Sequence, residues 1–432
     1  MKYALVNPWW DFRGSIYFGC PEPHLPLEFG FARALLERCG HEVLLLDGFL
    51  ENLSRTELKD RLQAFGPDFT ILTTAPSYLF WRCPPPELRV PRQAARALRG
   101  AGGKVVAVGP HGSTTPEAVL RKLEIDLVIR GEFEGVLPLL ATGLPPEGPE
   151  IPSLASLEEG EVRITGAPAR ADLKDLPALR WPGELVRRHR HQHHRFDAPP
   201  AGSGAEVEAS RGCPFHCSFC ARENFRAGYR ERPIPVVLEE LDGLMAQGVE
   251  YVYFIDELFL PRPELLRALA ARPVTFGIQT RIDLWEEGEL DLLGEAGCVS
   301  VEAGIESVSE AGRRLLLKPQ RLDDGELIER LAYAKKRIPF VQATLLDGRT
   351  DDPGTVAAWR SRLQGLGLWA NQPVPLFPYP GSGEYEKRWG PPDGQAWERA
   401  HRYYLSSRSW FSDLQERKPL PLERLESEEK RD

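Results

Sequence analysis

Residues 211–220 read Arg-Gly-Cys-Pro-Phe-His-Cys-Ser-Phe-Cys and follow a strand-like stretch, Ala-Glu-Val-Glu-Ala at 205–209. The three cysteines of this loop, Cys213, Cys217 and Cys220, stand in a C-x-x-x-C-x-x-C order. Three thiolates can hold three irons of a [4Fe–4S] cube, for which cysteine is the usual ligand. The fourth iron would then have no protein ligand and would stay open to a substrate or cofactor.

Two other uses of clustered cysteines fit the sequence less well. A structural zinc site would need a second ligand pair at a suitable distance, and none follows the loop. A disulfide framework is typical of short secreted chains, whereas this chain has 432 residues and 7 cysteines, an odd number. The remaining cysteines are scattered, which indicates a reducing cytoplasm.

Composition narrows the range of partners. The net charge of −9 argues against a general surface for nucleic acid or for anionic membranes. No apolar run approaches the roughly 20 residues of a spanning helix, and residues 1–8 do not resemble a signal peptide. We therefore expect a cytoplasmic protein that binds neither nucleic acid nor membranes.

The first part of the chain, residues 1–140, alternates short strands and helices. Continuous apolar runs such as Phe69–Leu72 and Val105–Val108 are typical of parallel strands covered on both faces. The pattern predicts a doubly wound, Rossmann-like sheet with its ligand at the carboxyl ends of the strands. The predicted strands are Lys2–Asn7, His41–Asp47, Phe69–Thr74, Lys104–Val108 and Leu127–Ile129, and the predicted helices are Leu27–Cys39, Thr56–Phe65, Pro91–Arg99 and Pro116–Lys122.

Residues 141–204 break this alternation because they are rich in Pro, Gly and Glu and then become basic. We interpret them as an interdomain linker with a short hairpin near Ile151–Ile164. Their histidine-rich run, 187–195, is compatible with a metal site. Its flanking arginines would repel a cation, which favours a solvated or interface-lining linker.

A second alternating series, residues 205–385, predicts a partial (β/α)6 barrel, in which functional groups collect where strands end. Residues 386–432 are predicted to form a small helical extension, with a helix over Gln395–Tyr404 and a frayed polar tail over Glu423–Asp432. The barrel strands are predicted at Ala205–Ser210, Tyr251–Ile255, Thr275–Gln279, Cys298–Glu302, Phe340–Leu346 and Asn371–Phe377. The barrel helices are predicted at Val236–Gln247, Pro263–Ala271, Glu287–Ala296, Ser309–Leu317, Asp324–Lys336 and Pro353–Leu366.

The cysteine spacing, at the end of the first barrel strand, resembles the signature of the radical S-adenosylmethionine (SAM) superfamily. The resemblance implies that Cys213, Cys217 and Cys220 ligate a [4Fe–4S] cluster and that SAM chelates its open iron. A reduced cluster then cleaves SAM and releases a 5′-deoxyadenosyl radical, for which a barrel lumen supplies the enclosure. Phe219, the aromatic residue before the last cysteine, is expected near the adenine of SAM.

Other strand ends resemble weaker patterns of the same superfamily. Asp256 and Glu257 are expected near the amino group of SAM, and Arg281 near its carboxylate. Glu306 and Ser307 belong to a stretch that resembles a G-x-E-S pattern, in which Glu306 would accept hydrogen bonds from ribose hydroxyls. For each charged residue, an ordinary salt bridge at the barrel rim is the alternative.

The N-terminal domain resembles that of the cobalamin-binding radical SAM class. Residues 77–79, Ser77-Tyr78-Leu79, match an S-x-L element after the third strand. Gly109-Pro110-His111-Gly112 stands where the class carries a Gly-Gly pair, whose small residues admit a bulky ligand. Arg130-Gly131-Glu132-Phe133-Glu134 resembles the R-G-E-x-E stretch that closes this domain. Ser77, Leu79, Gly109, His111 and Gly112 are therefore expected to contact cobalamin.

One element of many cobalamin proteins is missing, because no D-x-H-x-x-G motif supplies a histidine to the cobalt. The resemblance implies a cobalt with no protein histidine below it. His24 or His111 as the lower ligand is the alternative, as is an N-terminal domain that binds no cofactor and docks substrate or a partner.

Together these features predict a cobalamin-dependent radical SAM methyltransferase acting on a small metabolite or natural-product intermediate. An electron donor such as flavodoxin or ferredoxin is the implied protein partner. The alternatives are a cobalamin-assisted rearrangement or cyclisation without methyl transfer, a non-catalytic cobalamin or redox sensor, and an RNA- or peptide-modifying enzyme. The acidic balance gives the last of these little support.

Overall fold

A computed structural model describes residues 1–17, 22–76, 83–144, 148–190, 202–221, 226, 228–409, 411 and 419–427 of the chain. It contains two seven-stranded α/β sheets, and the described helices surround them. The expected fold class is confirmed: a doubly wound N-terminal domain precedes an open, mostly parallel barrel.

The first sheet has the strand order β2-β1-β3-β4-β5-β6-β7, and its first five strands are parallel. Along β1, Tyr3 and Leu5 belong to one core cluster, and Ala4 and Val6 belong to the other. Alternation between two cores explains the continuous apolar runs in the sequence. The strands are β1 (Lys2–Asn7), β2 (Glu42–Asp47), β3 (Phe69–Thr73), β4 (Lys104–Val108), β5 (Leu127–Ile129), β6 (Leu154–Glu158) and β7 (Glu161–Ile164).

The helices of the first domain start and end close to the predicted positions. Ser54 caps α2 with a capping box to Glu57, and Gly66 ends it in a left-handed conformation. The helices are α1 (Leu27–Arg38), α2 (Arg55–Phe65), α3 (Arg89–Leu98), α4 (Pro110–Thr114) and α5 (Pro116–Leu123), followed by a 3-10 helix at Leu137–Thr142 and by α6 (Gly183–Arg188).

The segment that composition marks as a linker, 141–204, is largely built into the N-terminal unit. Its predicted hairpin exists, but β6 pairs antiparallel with β5 and so extends the first sheet. Trp181 is buried, and a Cβ on Gly30 of α1 would lie 2.7 Å from its ring. His189 is also buried and accepts a hydrogen bond from the Leu25 amide. Residues 191–195 of the histidine-rich run lie outside the described ranges.

The second sheet has the order β15-β14-β13-β12-β11-β8, and its paired strands are parallel, with β16 beside β14. Of the predicted sixth strand, Asn371–Phe377, only Val374–Pro375 is a strand, and a second short strand, Trp369–Ala370, precedes it. The strands are β8 (Ser203–Val207), β11 (Val249–Phe254), β12 (Thr275–Thr280), β13 (Cys298–Glu306), β14 (Phe340–Asp347), β15 (Trp369–Ala370) and β16 (Val374–Pro375). A small ladder of β9 (Ser210–Arg211) and β10 (Arg230–Glu231) flanks the cysteine loop.

The barrel helices pack outside this sheet. Asp323 and Asp352 cap α11 and α12, each accepting a hydrogen bond from a first-turn amide. The helices are α7 (Ile234–Met245), α8 (Pro263–Ala270), α9 (Glu287–Glu295), α10 (Glu310–Leu315), α11 (Asp324–Arg337) and α12 (Pro353–Gly365).

The C-terminal segment is more ordered than its composition indicates. It contains α13 (Gly383–Trp389), α14 (Ala396–Ser407) and α15 (Leu422–Ser427). The predicted frayed tail is wrong for its first residues, because α15 buries Leu422 and Leu425 and its Glu426 forms an ion pair with Lys122 of α5. Residues 428–432 lie outside the described ranges. The C-terminal helices therefore dock on the N-terminal domain.

Replacement of Leu425 by alanine tests this docking. Leu425 is fully buried, so Leu425→Ala should lower the free energy of unfolding by about 2–4 kcal/mol, as a cavity-forming substitution does. Denaturant unfolding measures the change. Glu423→Ala on the same helix is the control, because its ion pair with Arg402 is exposed and should contribute less than about 1 kcal/mol. Equal stability of the Leu425→Ala variant and the wild type would mean that α15 does not dock.

Candidate functional site

The cysteine loop opens into a cavity at the carboxyl ends of the barrel strands. Cys213, Cys217 and Cys220 all line this cavity, whose volume is about 410 Å³. Each cysteine is partly exposed. The loop thus presents its three thiols to one shared space, as the sequence predicts.

Backbone contacts hold the loop in place on both sides. Gly212 has a φ of +82°, and a Cβ there would lie 2.0 Å from the Gly228 carbonyl oxygen, so only glycine fits. Its amide donates to Glu257 at 2.7 Å. At the far end, the Ser218 amide donates to the Leu316 carbonyl at 2.9 Å, and the Ser218 hydroxyl donates to Glu384 at 2.9 Å.

A buried ion-pair network joins this loop to the N-terminal domain. Arg211, two residues before Cys213, donates from Nη1 to Glu132 at 3.0 Å and to Glu134 at 2.9 Å. Its Nη2 donates to Glu208 at 2.8 Å. Arg211 is fully buried, and its carboxylate partners are at most 1% exposed. The R-G-E-x-E stretch that ends the N-terminal domain therefore contacts the chain immediately before the cysteines.

The same network fixes the other side of the loop through Arg226, which pairs with Glu208 and lies 2.9 Å from Glu257. Burial alone would raise the pKa of Glu208, but the guanidinium groups of Arg211 and Arg226 outweigh it and hold that pKa at about 2. Glu208 is therefore charged throughout the neutral range. Buried charges in such a network are costly unless every partner is present.

Removal of Arg211 tests the importance of this network. Arg211→Met should lower the free energy of unfolding by about 3–5 kcal/mol, because it leaves buried carboxylates without their partner. Arg163→Met is the matched control, since the ion pairs of Arg163 with Glu150 and Glu158 are exposed and should contribute less than about 1 kcal/mol. Urea unfolding of both variants measures the difference. Similar losses in the two variants would contradict a special role for the Arg211 network.

Phe219 and Glu306 line the cavity, as predicted, and so does a residue that the sequence reasoning missed, Lys318. Lys318 Nζ lies 2.8 Å from Glu306 Oε1 and 6.0 Å from the Phe219 ring centroid. Gly304 admits the lysine, because a Cβ there would lie 2.7 Å from Lys318 Nζ. Burial raises the pKa of Cys217 to about 11, while Lys318 acts in the opposite direction. Lys318 follows a helix rather than a strand, so strand-end reasoning could not find it.

Arg281 lies at the cavity wall, but its guanidinium is largely held by the protein. Nε and Nη2 donate to Asp283 at 3.2 and 2.9 Å, and the group stacks 4.0 Å from the Phe215 ring centroid. Nη1 is buried and has no hydrogen-bond partner. One edge of the guanidinium thus remains able to donate to a ligand.

Two predicted site residues do not line the cavity. Asp256 is buried and accepts hydrogen bonds from the Ala209 amide at 2.8 Å and from the Ser210 hydroxyl. Burial raises its pKa to about 7, although the Ser210 hydrogen bond opposes the shift. Ser307 is buried too, and its hydroxyl donates to Asp351 at 2.8 Å. Glu257, by contrast, does line the cavity.

Three of the predicted cobalamin-contacting residues, Gly109, His111 and Gly112, follow the end of β4. Gly109 has a φ of +122°, and a Cβ there would lie 2.5 Å from Thr74 Oγ1, an atom that is buried without a hydrogen-bond partner. A Cβ on Gly112 would lie 2.6 Å from Val128. Gly109 and Gly112 therefore allow the chain after β4 to pack closely against Thr74 and Val128. Ser77 and Leu79 lie outside the described residues.

Neither histidine considered as a cobalt ligand faces an open space. His111 is fully buried, with its Nε2 2.9 Å from the Pro85 carbonyl and its ring 4.4 Å from that of Trp397. Burial lowers its pKa to about 3. His24 is 3% exposed, with Nδ1 3.1 Å from the Glu22 carbonyl. A larger cavity, about 510 Å³ between α2 and α3, contains none of the predicted residues.

The described ranges contain neither a mononuclear metal site nor a membrane-spanning helix. No three His, Cys, Asp or Glu side chains there are grouped so that they could hold a single metal ion. Ligands to three different irons of a cube need not converge on one point, so this finding concerns a mononuclear site. None of the helices in the same ranges has the length and apolarity that a bilayer crossing requires.

Comparison with known families identifies the barrel. Residues 207–358 match the radical SAM superfamily. This match covers the cysteine loop and most of the barrel strands. Residues 207–358 therefore match a radical SAM domain, as the cysteine spacing predicts.

Solved structures match both domains together. TsrM from Kitasatospora setae, a radical SAM methyltransferase with cobalamin and a [4Fe–4S] cluster bound, matches 89% of this chain and 73% of its own, with a TM-score of 0.69 and 21% identity. The cobalamin-dependent radical SAM enzyme OxsB matches 86% of this chain and 53% of its own, with a TM-score of 0.66 and 19% identity. The chain thus shares the fold of both domains with these two proteins.

Curated relatives include methyltransferases and a cyclase. An uncharacterized methyltransferase of Pyrococcus horikoshii is 27% identical over 72% of this chain and 66% of its own length. The anaerobic magnesium-protoporphyrin IX monomethyl ester cyclase of Rubrivivax gelatinosus is 24% identical over 66% of this chain and 52% of its own length. Cytidylyl-2-hydroxyethylphosphonate methyltransferase of Streptomyces wedmorensis is 25% identical over 74% of this chain. The chain thus spans about half to two thirds of the first two relatives.

Proposed function

We propose that this protein is a cobalamin-dependent radical SAM enzyme that transfers a methyl group to a small-molecule substrate. The observation that carries the proposal is the loop with Cys213, Cys217 and Cys220, which lines a barrel-mouth cavity and is tied by Arg211 to the preceding domain. Relatives named as methyltransferases support the reaction type.

Cys213, Cys217 and Cys220 are the proposed cluster ligands, since their thiolates match the donor set of an iron–sulfur cube. A bound cluster would supply the electron that cleaves SAM, and a bound cobalamin would carry the methyl group. The chain itself holds the loop through Gly212 and Ser218 and surrounds the cavity with apolar side chains such as Leu345 and Phe377. These side chains exclude water from the reacting groups.

SAM is proposed to occupy the same cavity beside the cluster. The unpaired Nη1 of Arg281 can donate to its carboxylate, and Phe219 offers an aromatic face to its adenine. Glu306 is proposed to accept from the ribose hydroxyls, with its carboxylate held in place by Lys318. Glu257 remains the acidic candidate for contact with the amino group, because Asp256 does not line the cavity.

Cobalamin is proposed to bind at the carboxyl ends of the first sheet, whose strand order places a topological switch point there. The buried Thr74 hydroxyl at this edge has no hydrogen-bond partner, which fits a polar ligand tail. The contacts of Ser77 and Leu79 with cobalamin remain part of the proposal. We propose that no protein histidine lies below the cobalt, because His24 and His111 are buried against other groups.

A second candidate is cobalamin-assisted cyclisation or rearrangement without methyl transfer, because a relative named as a cyclase matches two thirds of the chain. Labelled SAM distinguishes the two, since only methyl transfer places the label in the product. In either case we propose a reducing, cytoplasmic setting and a protein that donates the electron.

Replacement of the three loop cysteines tests the cluster. Cys213→Ala/Cys217→Ala/Cys220→Ala should abolish the brown absorbance of anaerobically reconstituted protein and all SAM cleavage under dithionite. Cys39→Ser is the control, because Cys39 is exposed and lies in the other domain, and it should retain both properties. A full cluster in the triple variant, or no SAM cleavage by the wild type, would contradict the proposal.

Reconstitution with hydroxocobalamin tests the N-terminal domain. We expect a near-stoichiometric corrinoid to co-elute with the protein on gel filtration. Electron paramagnetic resonance (EPR) of its Co(II) form should not change when the protein carries ¹⁵N-labelled histidine, because His24 and His111 are buried against other groups. Loss of the corrinoid on the column would contradict the cobalamin proposal, and a change of the nitrogen splitting on ¹⁵N-histidine labelling would contradict the absence of a histidine ligand.

A further inference from the structure

Two leucines beside the cysteine loop are unusually exposed. Leu315 is 67% exposed and Leu317 is 60% exposed, the highest values among the large apolar side chains of the described residues. We call this pair the leucine knuckle. Single exposed leucines are common on protein surfaces, but two within three residues form a local apolar patch.

The backbone of the knuckle adopts a conformation that disfavours leucine. The Leu317 amide donates to the Arg314 carbonyl at 3.1 Å, and the Lys318 amide donates to the Arg313 carbonyl at 2.8 Å. These are the paired hydrogen bonds of a Schellman motif, which ends α10. Leu317 has a φ of +50° and occupies the left-handed position where glycine is preferred. A strained and exposed leucine breaks local rules of folding, which points to a use outside the fold.

The residue between the two leucines of the knuckle contacts the cysteine loop. The carbonyl of Leu316, between the two exposed leucines, accepts a hydrogen bond from the Ser218 amide at 2.9 Å. Ser218 lies between two of the proposed cluster ligands, Cys217 and Cys220. The next residue, Lys318, points inward to Glu306 on the cavity wall. The knuckle is therefore the outer surface of the wall that encloses the proposed cluster.

Exposed basic side chains flank the knuckle in a chain whose net charge is −9. Residues 310–321 contain four basic side chains and one acidic one, but Arg313 and Lys318 are buried in ion pairs with Asp324 and Glu306. Arg314 is 71% exposed, and its ion pair with Glu310 is also exposed. Because exposed ion pairs contribute little free energy, Arg314 can leave Glu310 and pair with an acidic group of another protein. Arg321 is exposed. Lys387 is exposed on α13, whose Glu384 amide donates to the Ser218 carbonyl at 2.7 Å.

We propose that the leucine knuckle and its basic rim are the docking surface for an acidic one-electron carrier protein that reduces the cluster. This inference rests on the proposed function. One electron leaves the carrier and enters the cluster, and no bond forms or breaks in this step. A small apolar centre with a complementary charged rim is typical of transient redox interfaces, which bury less than about 1,200 Å².

The test compares three reductants acting on the reconstituted protein. Cluster reduction is followed by stopped-flow absorbance with dithionite and with two protein carriers, flavodoxin hydroquinone and reduced ferredoxin. The variant Leu315→Ser/Leu317→Gly removes the patch and places glycine where the backbone favours it, so it should fold normally. At least one carrier should reduce this variant about tenfold or more slowly than the wild type, while the dithionite rate should stay the same.

Two further measurements complete the test. Leu366→Ser, which alters an exposed leucine elsewhere, should keep wild-type rates with every reductant. The carrier-driven rate of the wild type should fall as salt is raised, and Arg314→Glu should lower it further.

Three outcomes would overturn the inference. In the first, the double variant is reduced by both carriers within twofold of the wild-type rate, or neither carrier reduces the wild type. In the second, dithionite reduction slows equally, which would give the knuckle a structural role in the loop. In the third, gel filtration shows a wild-type dimer that the variant lacks, which would make a second copy of this chain the occupant. Failure of the proposed function is distinct, because the cluster would then accept electrons without cleaving SAM.

Discussion

The buried pairing of Arg211 with Glu132, Glu134 and Glu208 is the constraint on which the rest of the site depends. It joins residues 132–134, at the end of the N-terminal domain, to Arg211, which lies two residues before Cys213. Because the guanidinium fork has fixed geometry, the pairing sets both the distance and the orientation between the domains. The first domain is thus joined by buried charges to the loop that lines the cavity of the second.

The remaining contacts follow from this junction. Glu208 holds Arg226, which pairs with Glu257 on the cavity wall, and Glu257 in turn holds the amide of Gly212. Charges thus fix the cysteine loop before its first cysteine. Hydrogen bonds of Ser218 fix it between its last two cysteines. Such rigidity suits a site in which a reactive group must stay enclosed and aligned.

Much of the fold could be predicted because its signals are local. Lys104–Val108 is a strand in both the prediction and the structure, since a continuous apolar run buried on two faces needs no distant information. The cysteine loop was recognisable by spacing alone. The pairing of Arg211 with Glu132 was not, because the partners lie 79 residues apart. Asp256 was predicted to lie in the site, but only its neighbour Glu257 lines the cavity. The reason is that successive residues of an extended chain point to opposite sides. The sequence did not predict α15, because Leu425, which is buried, stands among polar residues that are typical of a disordered tail.

We propose that three thiolates leave one iron of a cluster open to SAM at the barrel mouth. Electron-nuclear double resonance on the reduced, reconstituted protein tests it most directly, with SAM carrying ¹⁵N in its amino group. If SAM binds the open iron, the cluster signal should show a ¹⁵N coupling. The EPR spectrum of the reduced cluster should also change when SAM is added. An unchanged spectrum with no ¹⁵N coupling would contradict it.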